Sequence, residues 1–145
     1  MEVSRIVKAS PSEVYRAWTD LSSMGWMGDR LAADVRVGGA YRIETTTNGA
    51  EFVNTGTYRV LDTDRRIVMT FRGGPKDVVD GPATESPYKN ETLEIRLRAL
   101  DGGRTEVAFA DRWDGEPLSA EDAEALRAAW ERWLGKMAGA VEWPS

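Results

Sequence analysis

The clearest periodicity in the chain is helical and lies toward its C-terminal end. Between Ser119 and Val141, Leu126, Trp130, Trp133, Leu134, Met137 and Val141 recur at spacings of three and four, while Glu121, Glu124, Arg127, Glu131 and Arg132 fall off that stripe. This pattern predicts one amphipathic helix of about six turns. Ser119 suits the N-cap, and Glu121 and Asp122 in the first turn complement the helix dipole. An indole-rich stripe cannot be buried by a lone helix, so it calls for a concave partner such as a curved sheet.

The chain upstream supplies candidates. Glu2 to Ala9 alternates, with Val3, Arg5 and Val7 on one side and Ser4, Ile6 and Lys8 on the other, and reads as a first strand of undecided sidedness. Ser10-Pro11-Ser12-Glu13 is a helix start: Ser10 as N-cap, Pro11 at the first helical position and Glu13 closing a capping box. Val14, Ala17 and Trp18 would face the core, and Leu21 to Trp26 would form a second short helix closed by Gly25 and Gly28. The pair lacks the basic residues of a DNA-reading helix-turn-helix.

From Leu31 to Asp111 the period becomes two. Ala33, Val35 and Val37 lead to a Gly38-Gly39 hairpin signal, and Tyr41, Ile43 and Thr45 then alternate with Arg42, Glu44 and Thr46 up to a turn at Asn48-Gly49. Phe52 to Leu61 is the next strand, with Gly56 marking a bulge or a close approach. After a turn at Asp62 to Arg65, Ile67, Met69 and Phe71 alternate with Val68, Thr70 and Arg72. Glu91 to Ala99 and Thr105 to Trp113 make a hairpin around Asp101-Gly102-Gly103, with Leu93, Ile95, Leu97, Val107 and Phe109 on its inner face. The glycine- and proline-rich span 73–90 reads as a long loop, either a plain connection or a lid. The expected class is α+β: an antiparallel sheet of about seven strands, helices at both ends of the chain, one domain over residues 1–145.

Composition narrows the chemistry. A chain of 145 residues, 41% hydrophobic with six Trp, can build one substantial core. A net charge of −5 without a basic stripe argues against nucleic acid and against an anionic membrane surface. With no Cys and no His, thiol nucleophiles, imidazole bases, Ser-His-Asp triads and Cys- or His-ligated metals are all excluded. Acid-base work would fall to Asp, Glu, Lys or Tyr with shifted pKa values. Met1 to Ala9 carries no long apolar stretch, so a cytoplasmic protein is the expectation.

Several segments together resemble the SRPBCC superfamily (START-like and birch-pollen-allergen-like, the helix-grip fold), and within it the branch of the activator of the heat-shock-protein-90 ATPase. They are the run from Ala9 to Asp20, Trp26-Met27-Gly28, the run from Gly38 to Ile43, Gly56-Thr57-Tyr58, the run from Arg66 to Phe71, the run from Gly103 to Val107, and Ala129-Trp130. The resemblance implies a bent antiparallel sheet gripping the C-terminal helix, with a cavity between them that in many relatives holds an apolar or aromatic molecule. It covers nearly the whole chain, but Met27 stands where relatives often carry a second Trp, and the His frequently found near Asp111 is absent. The fold hosts carriers, cyclases, receptors and chaperone regulators, so activity has to be argued from the site.

The expected cavity walls are Trp26, Tyr41, Ile43, Tyr58, Met69, Phe71, Ile95, Phe109, Trp130, Trp133 and Met137, an aromatic and Met-rich set suited to flat apolar ligands. Polar anchors would come from Arg42, Glu44, Asn54, Tyr58, Arg96, Asp111 or Arg112. Glu44, Tyr58 and Asp111 are the catalytic candidates: the two carboxylates as an acid-base pair, the phenol as a donor to a ligand carbonyl. Gly73-Gly74-Pro75-Lys76 lacks the phosphate-loop pattern, and Glu121, Asp122 and Glu124 do not converge on a metal. The expected function is capture of a small hydrophobic or aromatic molecule without metal or cofactor. A polyketide cyclase or aromatase in the same cavity and a chaperone-ATPase activator acting through an outer surface are the alternatives, with a monomer or homodimer as the assembly.

Overall fold

Strand β1 (Glu2–Val7) leads into helix α1 (Pro11–Thr19), and the junction forms as the capping box requires. The Glu13 N–H donates to Ser10 Oγ at 3.2 Å, while the Glu13 carboxylate accepts from the Ser10 N–H and hydroxyl. Ser10→Ala is therefore expected to lower unfolding free energy by about 1 kcal/mol in urea melts, and no change would mean the box is inert. The computed structural model describes residues 1–81 and 89–143.

Val3 and Val7 turn inward and Ile6 outward, which resolves the sidedness of β1. The expected second helix is instead two 3-10 turns, Leu21–Ser23 and Gly25–Met27. Asp20 caps the first by accepting from the Ser22 N–H, and the Ser and Gly that follow favour turns over a continuous α-helix.

Seven further strands follow: β2 (Arg30–Ala33), β3 (Ala40–Thr47), β4 (Ala50–Asp62), β5 (Arg66–Thr70), β6 (Arg72–Pro75), β7 (Lys89–Ala99) and β8 (Thr105–Asp114). They make one antiparallel sheet in the order β1-β8-β7-β5-β4-β3-β2, with β6 also paired to β4. The connection through Gly38-Gly39 is six residues long rather than a two-residue hairpin, and Val35 and Val37 lie within it. Asn48 and Gly49, both at positive φ, close the β3–β4 hairpin as expected.

The strand beyond the expected seven, β6, occupies the start of the span read as a loop, and a short helix, α2 (Lys76–Val79), follows it. Gly73 and Gly74, the latter at a φ of 154°, pair with Asn54 and Val53, a ladder that needs backbone and no side chain. The remaining part of the lid expectation, residues 82–88, lies outside the described residues.

Along the edge opposite β3, long β4 serves two partners: β5 along Tyr58–Asp62 and β6 along Phe52–Thr55. Between them sits Gly56, where a Cβ would overlap the carbonyl oxygen of Thr70. Helix α3 (Ala120–Val141), capped by Ser119 accepting from the Asp122 N–H, packs Trp130, Leu134, Met137 and Ala138 into the core. The core lies between one face of the sheet and the helices α1 and α3. No described helix is long and apolar enough to cross a membrane.

Candidate functional site

The wide face of α3 and its sheet meet through a chain of rings. Trp26 contacts Trp18 and Trp133 at centroid distances of 5.0 Å each, Trp133 meets Trp130 at 5.4 Å, and Trp130 meets Phe109 at 4.7 Å and Phe71 at 5.5 Å. Most pairs are tilted or edge-on, the arrangement favoured by ring quadrupoles.

At the outer end of this chain a cavity of about 310 Å³ opens between α3 and the sheet, lined by Asn54, Phe71, Gly73, Glu91, Leu126, Ala129, Trp130 and Trp133. Of the eleven side chains expected as walls, Phe71, Trp130 and Trp133 line it. Tyr41, Ile43, Tyr58, Met69, Ile95, Phe109 and Met137 are packed into the core behind it. Trp26 fills space farther along the ring chain, where its indole N–H donates to the Ala17 carbonyl at 2.8 Å. A depression of about 370 Å³ beside β1 is lined by Glu2, Arg96, Arg127 and Glu131 among others, and its charged walls do not suit an apolar ligand.

The polar anchors separate by face. Arg42 and Glu44 alternate with the inward Tyr41 and Ile43 and therefore point away from the core; Arg42 donates to Glu44 and grips Asp80 through two 2.8 Å hydrogen bonds. Arg96 and Arg112 surround Glu94 on the outer face of β7 and β8 together with Arg66. Asn54 reaches the cavity.

Asp111 is wholly buried, but the carboxyl it meets is Glu91, not Glu44. The reason is register. Leu93 on β7 lies opposite Asp111 on β8, and Glu91, two residues earlier on the same face, is the diagonal neighbour. A β-bulge between Lys89 and Thr92, with Asn90 at a φ of 52°, marks the start of that strand. Glu91 continues the inward series Leu93, Ile95, Leu97, and that alternation was the signal in the sequence that pointed to it.

Trp130 on α3 completes the group by donating its indole N–H to Asp111 Oδ2 at 2.9 Å. Asp111 Oδ1 is buried with no conventional donor among the described residues, so the hydrogen bond between the two carboxyls requires a proton on one of them. Burial raises the pKa of Glu91 well above the carboxylate range, and the hydrogen bond and negative charge of Asp111 raise it further. Burial raises Asp111 as well, opposed by the hydrogen bonds from Glu91 and Trp130 and by the positive chain amino group. The two buried carboxyls therefore share one proton, with Glu91 raised by both burial and its acidic neighbour. Among the described residues Tyr58 has no hydrogen-bond partner in its buried site, and burial pushes its phenol up to about 12, which leaves it a donor and never a base near neutrality.

The Glu91 shift carries a stability prediction. Its folded pKa lies above its ordinary value of 4.5, so the native state binds more protons than the unfolded chain above that pH. The favourable protonated state is fully retained below pH 4.5 and is lost as pH rises through the folded value. Glu91→Gln, a shape match for the protonated form, is expected to melt higher than wild type by a margin that widens from acid to neutral and alkaline pH. A pH-independent margin would contradict the assignment.

The architecture has known counterparts. A protein of Chromobacterium violaceum is 26% identical, with 99% of this chain and 98% of that one aligned at a TM-score of 0.72. The Aha1 dimer from Colwellia psychrerythraea aligns over 98% of this chain and 96% of that one at a TM-score of 0.69 with 15% identity. CalU16 from Micromonospora echinospora aligns over 96% and 73% at a TM-score of 0.64 with 16% identity, a likeness of fold alone. No curated protein sequence matches the chain. Residues 8–142 match the family model described as activator of Hsp90 ATPase homolog 1-like protein. With nearly its whole length matched, the chain belongs to the family of activator of Hsp90 ATPase homolog 1-like proteins.

Proposed function

We propose that this protein binds a small aromatic or hydrophobic molecule in the cavity between α3 and the sheet. The observation that carries this reading is the cavity itself: about 310 Å³ walled by Phe71, Leu126, Trp130 and Trp133, with a few polar groups at Glu91 and Asn54. Apolar walls with sparse polar anchors are the usual composition of a small-molecule site. Two of its walls are indoles, so occupancy should be visible in intrinsic fluorescence.

The test is a panel of aromatic, polyketide-like and fatty-acid ligands read by Trp fluorescence and thermal melting. Saturable quenching with a raised Tm for one class supports the reading; a ligand at a hundred times its Kd stabilises by about 2.7 kcal/mol. Ala129→Phe, which fills the cavity from α3, is expected to abolish both signals. No response from any class would remove the proposal.

Family membership favours a second reading, regulation of a chaperone ATPase through an outer surface, and the dimeric neighbour raises a homodimer as the assembly. ATPase rates with and without the protein test it: a dose-dependent rate change supports it, an unchanged rate removes it.

A further inference from the structure

The aromatic walls do not account for the carboxyl that reaches the cavity. Glu91 occupies the inward position at which the series Leu93, Ile95, Leu97 would continue with another apolar side chain. A buried carboxyl is costly unless it is hydrogen-bonded, and here its partner is Asp111, fully buried behind it.

The orientation of the pair follows from counting lone pairs. Asp111 Oδ2 accepts from the Trp130 indole N–H, and Oδ1 has no donor among the described residues except the Glu91 carboxyl. The proton of the pair therefore lies between Glu91 and Asp111 and faces away from the cavity. With one oxygen engaged by Asp111, the Glu91 carboxyl keeps a second oxygen outside that bond, an acceptor available to the cavity that Glu91 lines. Across the opening, Asn54 also lines the cavity. The rings of Phe71, Trp130 and Trp133 define the space for a flat body beside that acceptor.

We propose that the ligand of this cavity is a flat aromatic molecule bearing a hydrogen-bond donor, a hydroxyl or an amine, seated on the outward oxygen of Glu91. Asp111 and Trp130 act as positioning residues that hold that carboxyl in place. The proposal rests on the binding reading above and narrows its ligand class. A neutral hydroxyl leaves the shared proton where it is. A cationic amine favours loss of that proton, so its affinity rises with pH.

Calorimetric titration with a matched series tests this: 2-naphthol as hydroxyl donor, 2-naphthylmethylamine as cation, and 2-methoxynaphthalene as an acceptor of similar shape. The expected result is that one donor binds about tenfold more tightly than the methoxy compound, the effect of one hydrogen bond at a buried site. A flat pH profile for the naphthol or a rising one for the amine identifies which donor the site takes. In Glu91→Met the affinities of donor and methoxy compound are expected to converge. Glu91→Gln should restore the preference, because its amide N–H faces Asp111 and its carbonyl faces the cavity. If Glu91→Met does not fold, the wild-type ladder and Glu91→Gln still decide.

Equal affinities across the series in wild type, or a donor preference that survives in folded Glu91→Met, would overturn this proposal and leave the binding reading standing. If none of the three compounds binds wild type, this proposal falls and the wider ligand panel decides the binding reading; if Ala129→Phe binds as well as wild type, both fall.

Discussion

Trp130→Ala is expected to lower unfolding free energy by roughly 3 to 5 kcal/mol, the range for removing a buried large aromatic. Three effects combine. The indole is only 8% exposed and packs on Phe71, Phe109 and Trp133, so its loss opens a void that these rings cannot close. Its N–H is the donor to Asp111 Oδ2, and removing it leaves a buried carboxyl oxygen unsatisfied. It also lines the cavity, so an aromatic ligand loses one of its walls. Trp130→Phe separates these effects, because it keeps much of the ring packing but deletes the donor, and it should fall between wild type and Ala. Urea melts measure the series. A loss below about 1 kcal/mol for Ala would mean that the indole stripe of α3 does not form the core contact described.

Gly56→Ala is expected to cost about 3 kcal/mol, at the upper end of what overpacking a well-filled interior costs. The cause is steric and not conformational. A Cβ at this position would overlap the Thr70 carbonyl oxygen, and backbone cannot move aside as a flexible side chain can. That oxygen also accepts the Tyr41 hydroxyl at 2.6 Å, so displacing it disturbs a second strand. Since β4 hands over at this point from β5 to β6, the damage would reach the wall that carries Phe71 and Gly73. Thermal melts and ligand titration of the same variant test both consequences. A variant as stable as wild type would show that the strands can part there without cost.

Helices α1 and α3 and most of the sheet were legible because local chemistry and long-range packing agree in them. The capping box at Ser10 and Glu13, the Asn48-Gly49 turn and the α3 stripe each carry a signal within a few residues. Gly56 was legible as an irregularity, but only the structure shows that it makes room for Thr70. The β6 strand was hidden because Gly73, Gly74 and Pro75 read as loop, and its ladder depends on backbone alone.

The candidate site was harder to read, since alternation assigns a face but not a neighbour. It placed Asp111 among the candidates, yet which carboxyl would meet it depends on the β7–β8 register. Glu44 was a reasonable partner by composition, but its β3 position faces outward to Arg42. Glu91 was passed over because a charged residue opening a strand usually faces solvent, although its parity with Leu93 already placed it inside. Likewise, period-two reasoning identifies inward rings without telling which line a cavity and which fill the core behind it.

The most direct test of the central claim is a two-dimensional 1H–15N spectrum of the indole N–H groups during titration with a two-ring aromatic donor. The chain has six Trp, so each indole can be assigned by single substitution. Saturable shifts are expected at Trp130 and Trp133, which line the cavity, with smaller changes at Trp18 and none at the exposed Trp143, which does not line it. Shifts confined to Trp143, or none at Trp130 and Trp133 at saturating ligand, would contradict that claim.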